Sequence, residues 1–316
     1  MTVAEPRELR EGVSVLVPVY RSQGHLAKLA DRVGAVLDAA SVPYELVLVD
    51  DGSDDGTWEE VRALATAGGS VRGLRLSRNY GQHNALLAGV RAVERERVVT
   101  LDDDLQYRPE SIPLLLEAMN NGADLVYGQA ERLRHGAIRG LVTRASKRLM
   151  RIATGEPMIA SISALRAFRT ELRTAFEGFD GPYVSLDALL LWSTNRVAEV
   201  PVPHDARTHG RSGYSVRSLM RHALTIMVGF SSRPLRAASV LGFACTALGI
   251  GLLAYVLVRY VAEGDSVPGF PFLASAISIF SGAQLFAIGV IGEYLARMYP
   301  RVMGRPSYSV AERIGA

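Results

Sequence analysis

Arg97 to Gln106 reads R-V-V-T-L-D-D-D-L-Q. Val98, Val99 and Leu101 form a short apolar run that ends in three carboxylates, the pattern of a buried strand delivering its charges to the edge of a sheet. Three adjacent acids at such an edge repel one another and raise one another's pKa. A bound divalent cation would relieve that, with Asp102, Asp104 and the amide oxygen of Gln106 as hard oxygen donors. The same residues also fit an acidic solvated turn, because D-x-D after a strand is by itself a weak signal.

The pattern around this run decides the fold class. Short β-branched runs at Val13 to Val19, Glu45 to Val49, Val71 to Leu76, Val98 to Leu101 and Leu125 to Tyr127 alternate with segments of helical period, such as Leu26, Leu29, Val33, Val36 and Leu37. This is an α/β chain with a mainly parallel sheet and helices on both faces. Ligands of such sheets bind beyond the carboxyl ends of the strands. Four polar clusters fall there: Pro18-Val19-Tyr20, Asp50-Asp51-Gly52-Ser53, Ser77-Arg78-Asn79-Tyr80 and the three aspartates. In V-D-D-G-S-D-D-G-T, Gly52 and Gly56 permit tight turns, and Ser53 or Asp54 is placed to cap a helix starting near Thr57. Capping does not require Asp50 and Asp51 in tandem, whereas a carboxylate there can accept from a ribose or a base N–H. No G-x-G-x-x-G or G-x-x-x-x-G-K-[ST] is present, so a nucleotide would be held by carboxylates and a metal.

The remaining chain changes character. Of 316 residues with net charge +3, those from Leu235 onward include two long apolar stretches. Leu235 to Val258 is interrupted only by Arg236, and Phe270 to Ile291 carries no charge. Each exceeds the roughly 20 residues of helix that cross a bilayer. Arginines crowd before the first (Arg211, Arg217, Arg221, Arg233) and after the second (Arg297, Arg301, Arg305, Arg313), which by the positive-inside rule puts both termini in the cytoplasm. Two amphipathic basic stretches, His135 to Thr154 and Val216 to Val228, suit an anionic lipid surface. Nothing resembling a nucleic-acid recognition element accompanies the charge, so no nucleic-acid partner is expected. Pro157 ends the first basic stretch; Ile159 to Phe168 and Val197 to Val202 read as further strands. Cys245 is the single cysteine, which excludes an internal disulfide or a cysteine-built metal site. His204, His209 and His222 match no usual zinc spacing, and the N-terminus lacks the apolar core of a cleavable signal.

V-P-V-Y, L-V-D-D-G-S, L-S-R-N-Y-G-Q-H-N-A, T-L-D-D-D-L-Q, H-x-x-R-x-x-G-x-S and I-G-E-Y-L-A-R-M-Y-P-R-V-x-x-R-P-S-Y, in order from about Val13 to Tyr308, resemble the polyprenyl-phosphate glycosyltransferases of glycosyltransferase family 2. The resemblance implies a GT-A (Rossmann-like) catalytic domain over 1–210, juxtamembrane amphipathic helices over 211–234, two transmembrane helices over 235–295 and a cytoplasmic tail over 296–316. It implies a nucleotide-diphosphosugar donor, a polyprenyl phosphate acceptor, Mg²⁺ or Mn²⁺, and an inner-membrane enzyme that inverts the anomeric carbon. By the family's pattern Asp102, Asp104 and Gln106 hold the metal and donor diphosphate. Pro18, Tyr20, Asp51 and Arg78 line the nucleotide pocket, with Asp50 beside them. Arg139, Thr143, Arg144, Arg207 and Ser212 stand where the family binds donor and acceptor phosphates, work that suits an arginine fork. The resemblance also admits a homo-oligomer.

Three positions depart from the pattern. A family aspartate is missing from Ile159 to Ala164, an arginine is replaced by Gln129-Ala130, and a lysine by Gly213. Asp187 is the candidate substitute carboxylate. Two rival readings follow. A transferase acting on a non-lipid acceptor lacks support, because the Q-x-x-R-W of processive synthases is absent and Trp192 sits in L-L-W-S-T-N-R. A catalytically silent membrane-binding module would explain the missing aspartate and lysine, but not the intact D-x-D-x-Q.

Overall fold

The computed structural model describes residues 9–130, 162–180, 185–203, 205, 233–263 and 269–315. The chain divides into two compact units, one comprising Met1–Arg144, Met158–Gly213 and Met303–Ala316, the other Ala145–Pro157 and Tyr214–Val302.

The first unit is built on a sheet of β1 (Arg10–Val19), β2 (Tyr44–Asp50), β3 (Val71–Leu76), β4 (Arg95–Thr100), β5 (Leu125–Ala130), β6 (Arg166–Arg169), β7 (Val197–Val202) and β8 (Val310–Ile314). Their order is β7-β5-β6-β4-β1-β2-β3-β8. β1 pairs in parallel with β2 and β4, β2 with β3, and β5 with β7, whereas β6 runs antiparallel to both neighbours and β8 antiparallel to β3. Alternation along the strands separates two apolar layers. Val13, Val15, Val17 and Val19 face one side, with Leu26, Leu29, Val33 and Leu37 of α1 (Leu26–Ala39), Trp58 and Val61 of α2 (Thr57–Thr66), and Ile112 and Leu115 of α4 (Ile112–Asn120). Leu16, Val47 and Val49 face the other side, with Leu86, Leu87 and Val90 of α3 (Gln82–Ala92) and Leu186 and Leu190 of α5 (Leu186–Ser193). Helices cover both faces, and the parallel strands all deliver their C-terminal ends to one edge.

Local detail departs from expectation at two places. α2 is not capped by Ser53 or Asp54: Asp55 Oδ1 accepts from the Thr57 amide at 3.0 Å, and Ser53 Oγ accepts from the Arg21 amide at 3.0 Å. Glu60, on α2, instead caps its neighbour, accepting from the amides of Gly24, Leu26 and Ala27 at the start of α1. The segment read as a tail beyond residue 296 also carries more structure. Helix continues to Val302, and Val310–Ile314 becomes the edge strand β8, where Glu312 accepts from Trp58 Nε1 at 3.0 Å. Pairing there satisfies the backbone groups that β3 would otherwise leave exposed. β6 begins only at Arg166, and 159–161 lie outside the described residues.

The second unit contains α6 (Arg233–Glu263) and α7 (Gly269–Val302), of 31 and 34 residues. Their apolar windows, Ala238–Tyr255 and Ile279–Pro300, have mean hydropathies of 1.8 and 1.4 and are 6% and 0% buried. Both helices are long and apolar enough to cross a membrane. A helix in the core of a soluble domain would cover such side chains, whereas Phe243 and Leu285 are exposed. The two helices approach closely at Gly249, where a Cβ would stand 2.9 Å from the Phe280 ring.

Candidate active site at the carboxyl edge of the sheet

The loops after β1, β2, β3 and β4 meet at one edge through short polar links. Asp51 joins two of them. Its Oδ1 accepts from the Tyr80 amide at 2.7 Å and its Oδ2 from the Gly81 amide at 2.8 Å. Gly52, with φ of 70°, lets the backbone pass so near the Arg78 main chain that a Cβ would lie 2.4 Å from its carbonyl carbon. Arg78 is exposed and lies over the Tyr80 ring at 4.5 Å, and Tyr20 is 42% exposed with Arg21 above it at 5.4 Å. These planar groups flank the edge as surfaces on which a base could stack. Pro18 is buried within β1, paired across from Val49.

Asp50 ends β2 directly before Asp51. Its side chain is fully buried, with Oδ1 accepting from the Ser53 amide at 3.1 Å and Oδ2 3.5 Å from Arg75 Nε. Through Oδ1 the last residue of β2 steadies its own turn, while Oδ2 has no hydrogen-bond partner among the described residues. Burial pushes both Asp50 and Asp51 above the ordinary carboxylate value.

The acidic loop is held from several directions. Asp102 Oδ1 accepts from Gln82 Nε2 at 2.8 Å. Asp103 Oδ2 accepts from Ser22 Oγ. Asp104 is exposed, and its Oδ1 accepts from the Gln106 amide at 3.1 Å. Between them Leu105 has φ of 55°, a left-handed conformation unusual for a side chain of its size, while its side chain packs against the core. Gln106 offers its main-chain oxygen to the Asp205 amide at 2.9 Å. Burial, then the charge of Asp104, pushes Asp102 up to about 6, against the opposing pull of Arg166. Burial also raises Asp103. Among the described residues no three His, Cys, Asp or Glu side chains converge as a ready metal cage. The hard oxygen donors on this loop that could hold a divalent cation are the Asp102 and Asp104 carboxylates and the Gln106 amide oxygen.

Asp187, the candidate substitute carboxylate, is buried among Tyr127, Arg166 and Thr100. It is 2% exposed, accepts from Tyr127 Oη at 3.0 Å and forms an ion pair with the buried Arg166, whose Nε donates to Thr100 Oγ1 at 3.0 Å. Burial and the Asp187 charge raise the Tyr127 phenol. Arg166, Gln82, Ser22 and Asp103 were not singled out by sequence. Gln82 could have been, since it follows the glycine that opens α3 at the same edge. Arg139, Thr143, Arg144, Arg207 and Ser212 lie outside the described residues, as do the three histidines and both basic amphipathic stretches. A nearby cavity of about 450 Å³ is lined by Arg32, Arg108, Glu110 and Asp205, which pair with one another as Arg32 with Glu110 and Arg108 with Asp205.

Solved structures share the fold. Glucosyl-3-phosphoglycerate synthase from Mycobacterium tuberculosis, in complex with phosphoglyceric acid, superposes with a TM-score of 0.52 at 21% identity, over 71% of this chain and 80% of that one. The same enzyme with Mn²⁺ and uridine-diphosphate-glucose gives 0.51 at 21% identity over 69% and 77%. Mannosyl-3-phosphoglycerate synthase from Rubrobacter xylanophilus gives 0.51 at 16% identity over 71% and 74%. The mixed sheet is thus GT-A-like. In sequence, the chain is 34% identical over 307 residues to an undecaprenyl-phosphate 4-deoxy-4-formamido-L-arabinose transferase of Edwardsiella ictaluri, covering 96% of this chain and 94% of the relative. It is 34% identical to the protein of that name from Aeromonas hydrophila, covering 94% and 92%. The model of Glycosyl transferase family 2 matches residues 14–157, the part that carries β1 to β5 and the acidic loop. With an acidic loop at the carboxyl edge of a GT-A-like sheet and relatives matched along nearly its whole length, the chain belongs to glycosyltransferase family 2.

Proposed function

We propose that the protein transfers a sugar, with inversion, from a nucleotide-diphosphosugar to a polyprenyl phosphate at the cytoplasmic face of a membrane. The observation that carries this reading is the acidic loop, in which Asp102 and Asp104 stand at the edge where Asp51, Arg78 and Tyr20 also meet. Two apolar helices and the names of the relatives support a lipid-borne acceptor.

Asp102, Asp104 and Gln106 would hold a divalent cation, Mg²⁺ or Mn²⁺. Bound there, it would offset the negative charge that grows on the departing nucleoside diphosphate. Gln82 orients Asp102, and Asp51 sets the loop bearing Arg78 and Tyr80 against which the nucleotide would lie. The acceptor is a phosphate already ionised at neutral pH. One of its oxygens attacks the anomeric carbon from the face opposite the leaving group, so no strongly activated base is needed. Arg139, Thr143, Arg144, Arg207 and Ser212 are assigned to the phosphates, where guanidinium groups meet oxygens two at a time. A long polyprenyl tail stays in the bilayer while its headgroup reacts, and α6 and α7 would keep the enzyme at that membrane.

The test incubates the purified full chain with labelled nucleotide sugars, polyprenyl phosphate and Mn²⁺. A nucleotide-linked 4-deoxy-4-formamido-L-arabinose is the first donor, followed by common hexose donors. A labelled lipid that disappears with EDTA is expected. Absence of labelled lipid from every donor would overturn the proposal in favour of a silent membrane-binding module, and label appearing only on a soluble acceptor would replace the lipid reading.

A further inference from the structure

The three consecutive aspartates are not equivalent. Asp102 is tied to the β3–α3 side through Gln82. Asp103 turns the other way, to Ser22, which is 4% exposed in the loop after β1. Ser22 is a junction. Its Oγ donates to Asp103 Oδ2 and accepts from the Tyr20 amide at 3.2 Å, and its own amide donates to the buried Thr57 Oγ1 at 2.8 Å.

The loop bearing Ser22 is itself fastened to the loop after β2. Arg21, with φ of 55°, is turned so that its amide reaches Ser53 Oγ, and its guanidinium pairs with Asp54. Through Ser22 the loops after β1, β2 and β4 thus share one point. That point lies beneath Tyr20 and beside the proposed metal-holding pair. A left-handed arginine on one side and a left-handed leucine on the other are conformations that persist only where surrounding bonds enforce them.

We infer that Ser22 and Asp103 are positioning residues: their hydrogen bond sets the acidic loop at a fixed distance from the two donor-binding loops, and Asp103 is not a ligand of the metal. This rests on the function proposed above. It predicts a division of labour within D-D-D, with the outer aspartates acting on the donor and the middle one holding the loop. Groups that orient the residues holding a metal typically contribute 10- to 100-fold to its affinity, so the effect belongs on metal and donor affinity.

The experiment uses the full chain in lipid nanodiscs and four variants: Ser22→Ala, Asp103→Ala, Asp103→Asn and the Ser22→Ala/Asp103→Ala double. Donor KM, kcat and the Mn²⁺ concentration for half-maximal transfer are measured. Calorimetric titration with uridine diphosphate and Mn²⁺ gives binding without an acceptor. Both alanine variants and the double should raise donor KM and the Mn²⁺ requirement by about tenfold, with kcat within about twofold of wild type, as expected for a shared link. Asp103→Asn should stay within about threefold of wild type, because its amide oxygen accepts the same bond. Asp103→Asn as impaired as Asp103→Ala would show that the charge matters and would overturn the inference, as would alanine variants indistinguishable from wild type. Should Ser22→Ala fail to fold, the contrast between the two Asp103 variants decides alone. Wild-type protein that neither binds nor transfers would overturn both readings, whereas active wild type with unaffected variants would overturn this one only.

Discussion

Gln82 Nε2 donates to Asp102 Oδ1 across 2.8 Å, joining the first turn of α3 to the first of three aspartates. The bond takes one oxygen of Asp102 and leaves the orientation of the other determined. Groups that orient a metal-holding carboxylate typically contribute 10- to 100-fold to metal affinity. Gln82→Ala should therefore raise the Mn²⁺ concentration for half-maximal activity by about tenfold or more, measured by titrating Mn²⁺ into metal-stripped enzyme. An unchanged requirement would detach Gln82 from the site.

Asp104 is exposed and contributes nothing to the core. Its replacement by alanine should lower kcat by at least about a hundredfold, the scale of losing a charge-stabilising group at a departing anion. The far-UV circular dichroism spectrum and the membrane-bound fraction should not change. Near-normal turnover would remove Asp104 from the proposed mechanism.

Gly52 is the position at which main chain meets main chain. A side chain there would combine a φ of 70° with a Cβ 2.4 Å from the Arg78 carbonyl carbon. Backbone cannot yield as a flexible side chain can, so Gly52→Ala should displace the Arg78 loop and cost about 1–3 kcal/mol. Donor KM should rise together with a fall in the thermal midpoint. A stable variant with unaltered KM would contradict the close approach.

Away from the site, Glu45 accepts from Ser14 Oγ at 2.5 Å, from the Glu94 amide at 2.7 Å and from Arg72 at 2.7 Å. Burial opposes its charge, but these three partners outweigh burial and hold the carboxyl below its ordinary value of 4.5. A lowered folded pKa means stability that is complete above 4.5 and lost as pH falls through the folded value. Arg72 keeps some exposure, so Glu45→Gln should cost about 2 kcal/mol at pH 7, or roughly 4–8 °C in thermal midpoint. The gap between wild type and variant should narrow as pH drops below 4.5. A gap that widened on acidification would reverse the assignment.

The alternating valines of β1, the leucines of α1 at helical spacing and the aspartates that follow β4 are legible because period and polarity are local properties of the chain. The same holds for α6 and α7, whose length and composition announce them. Asp50 and Asp51 differ for a reason of the opposite kind: tandem acids look alike in sequence, and only the strand register decides that Asp50 is buried against its own turn while Asp51 bridges two loops. The sequence shows β8 only as part of a tail, because five residues, V-A-E-R-I, with two adjacent charges, carry too little pattern to mark a strand until β3 offers an edge.

By itself, then, the sequence determined the α/β alternation, the edge at which chemistry would collect and the two long apolar helices, since each follows from side chains a few positions apart. Only the tertiary structure decided which partner each polar group at that edge would take. Ser22 and Asp103 are 81 residues apart, and Trp58 and Glu312 are 254 apart. A hydrogen bond between such distant residues depends on how strands order in the sheet and on which direction each carboxylate is driven by burial. Local pattern carries no information about either.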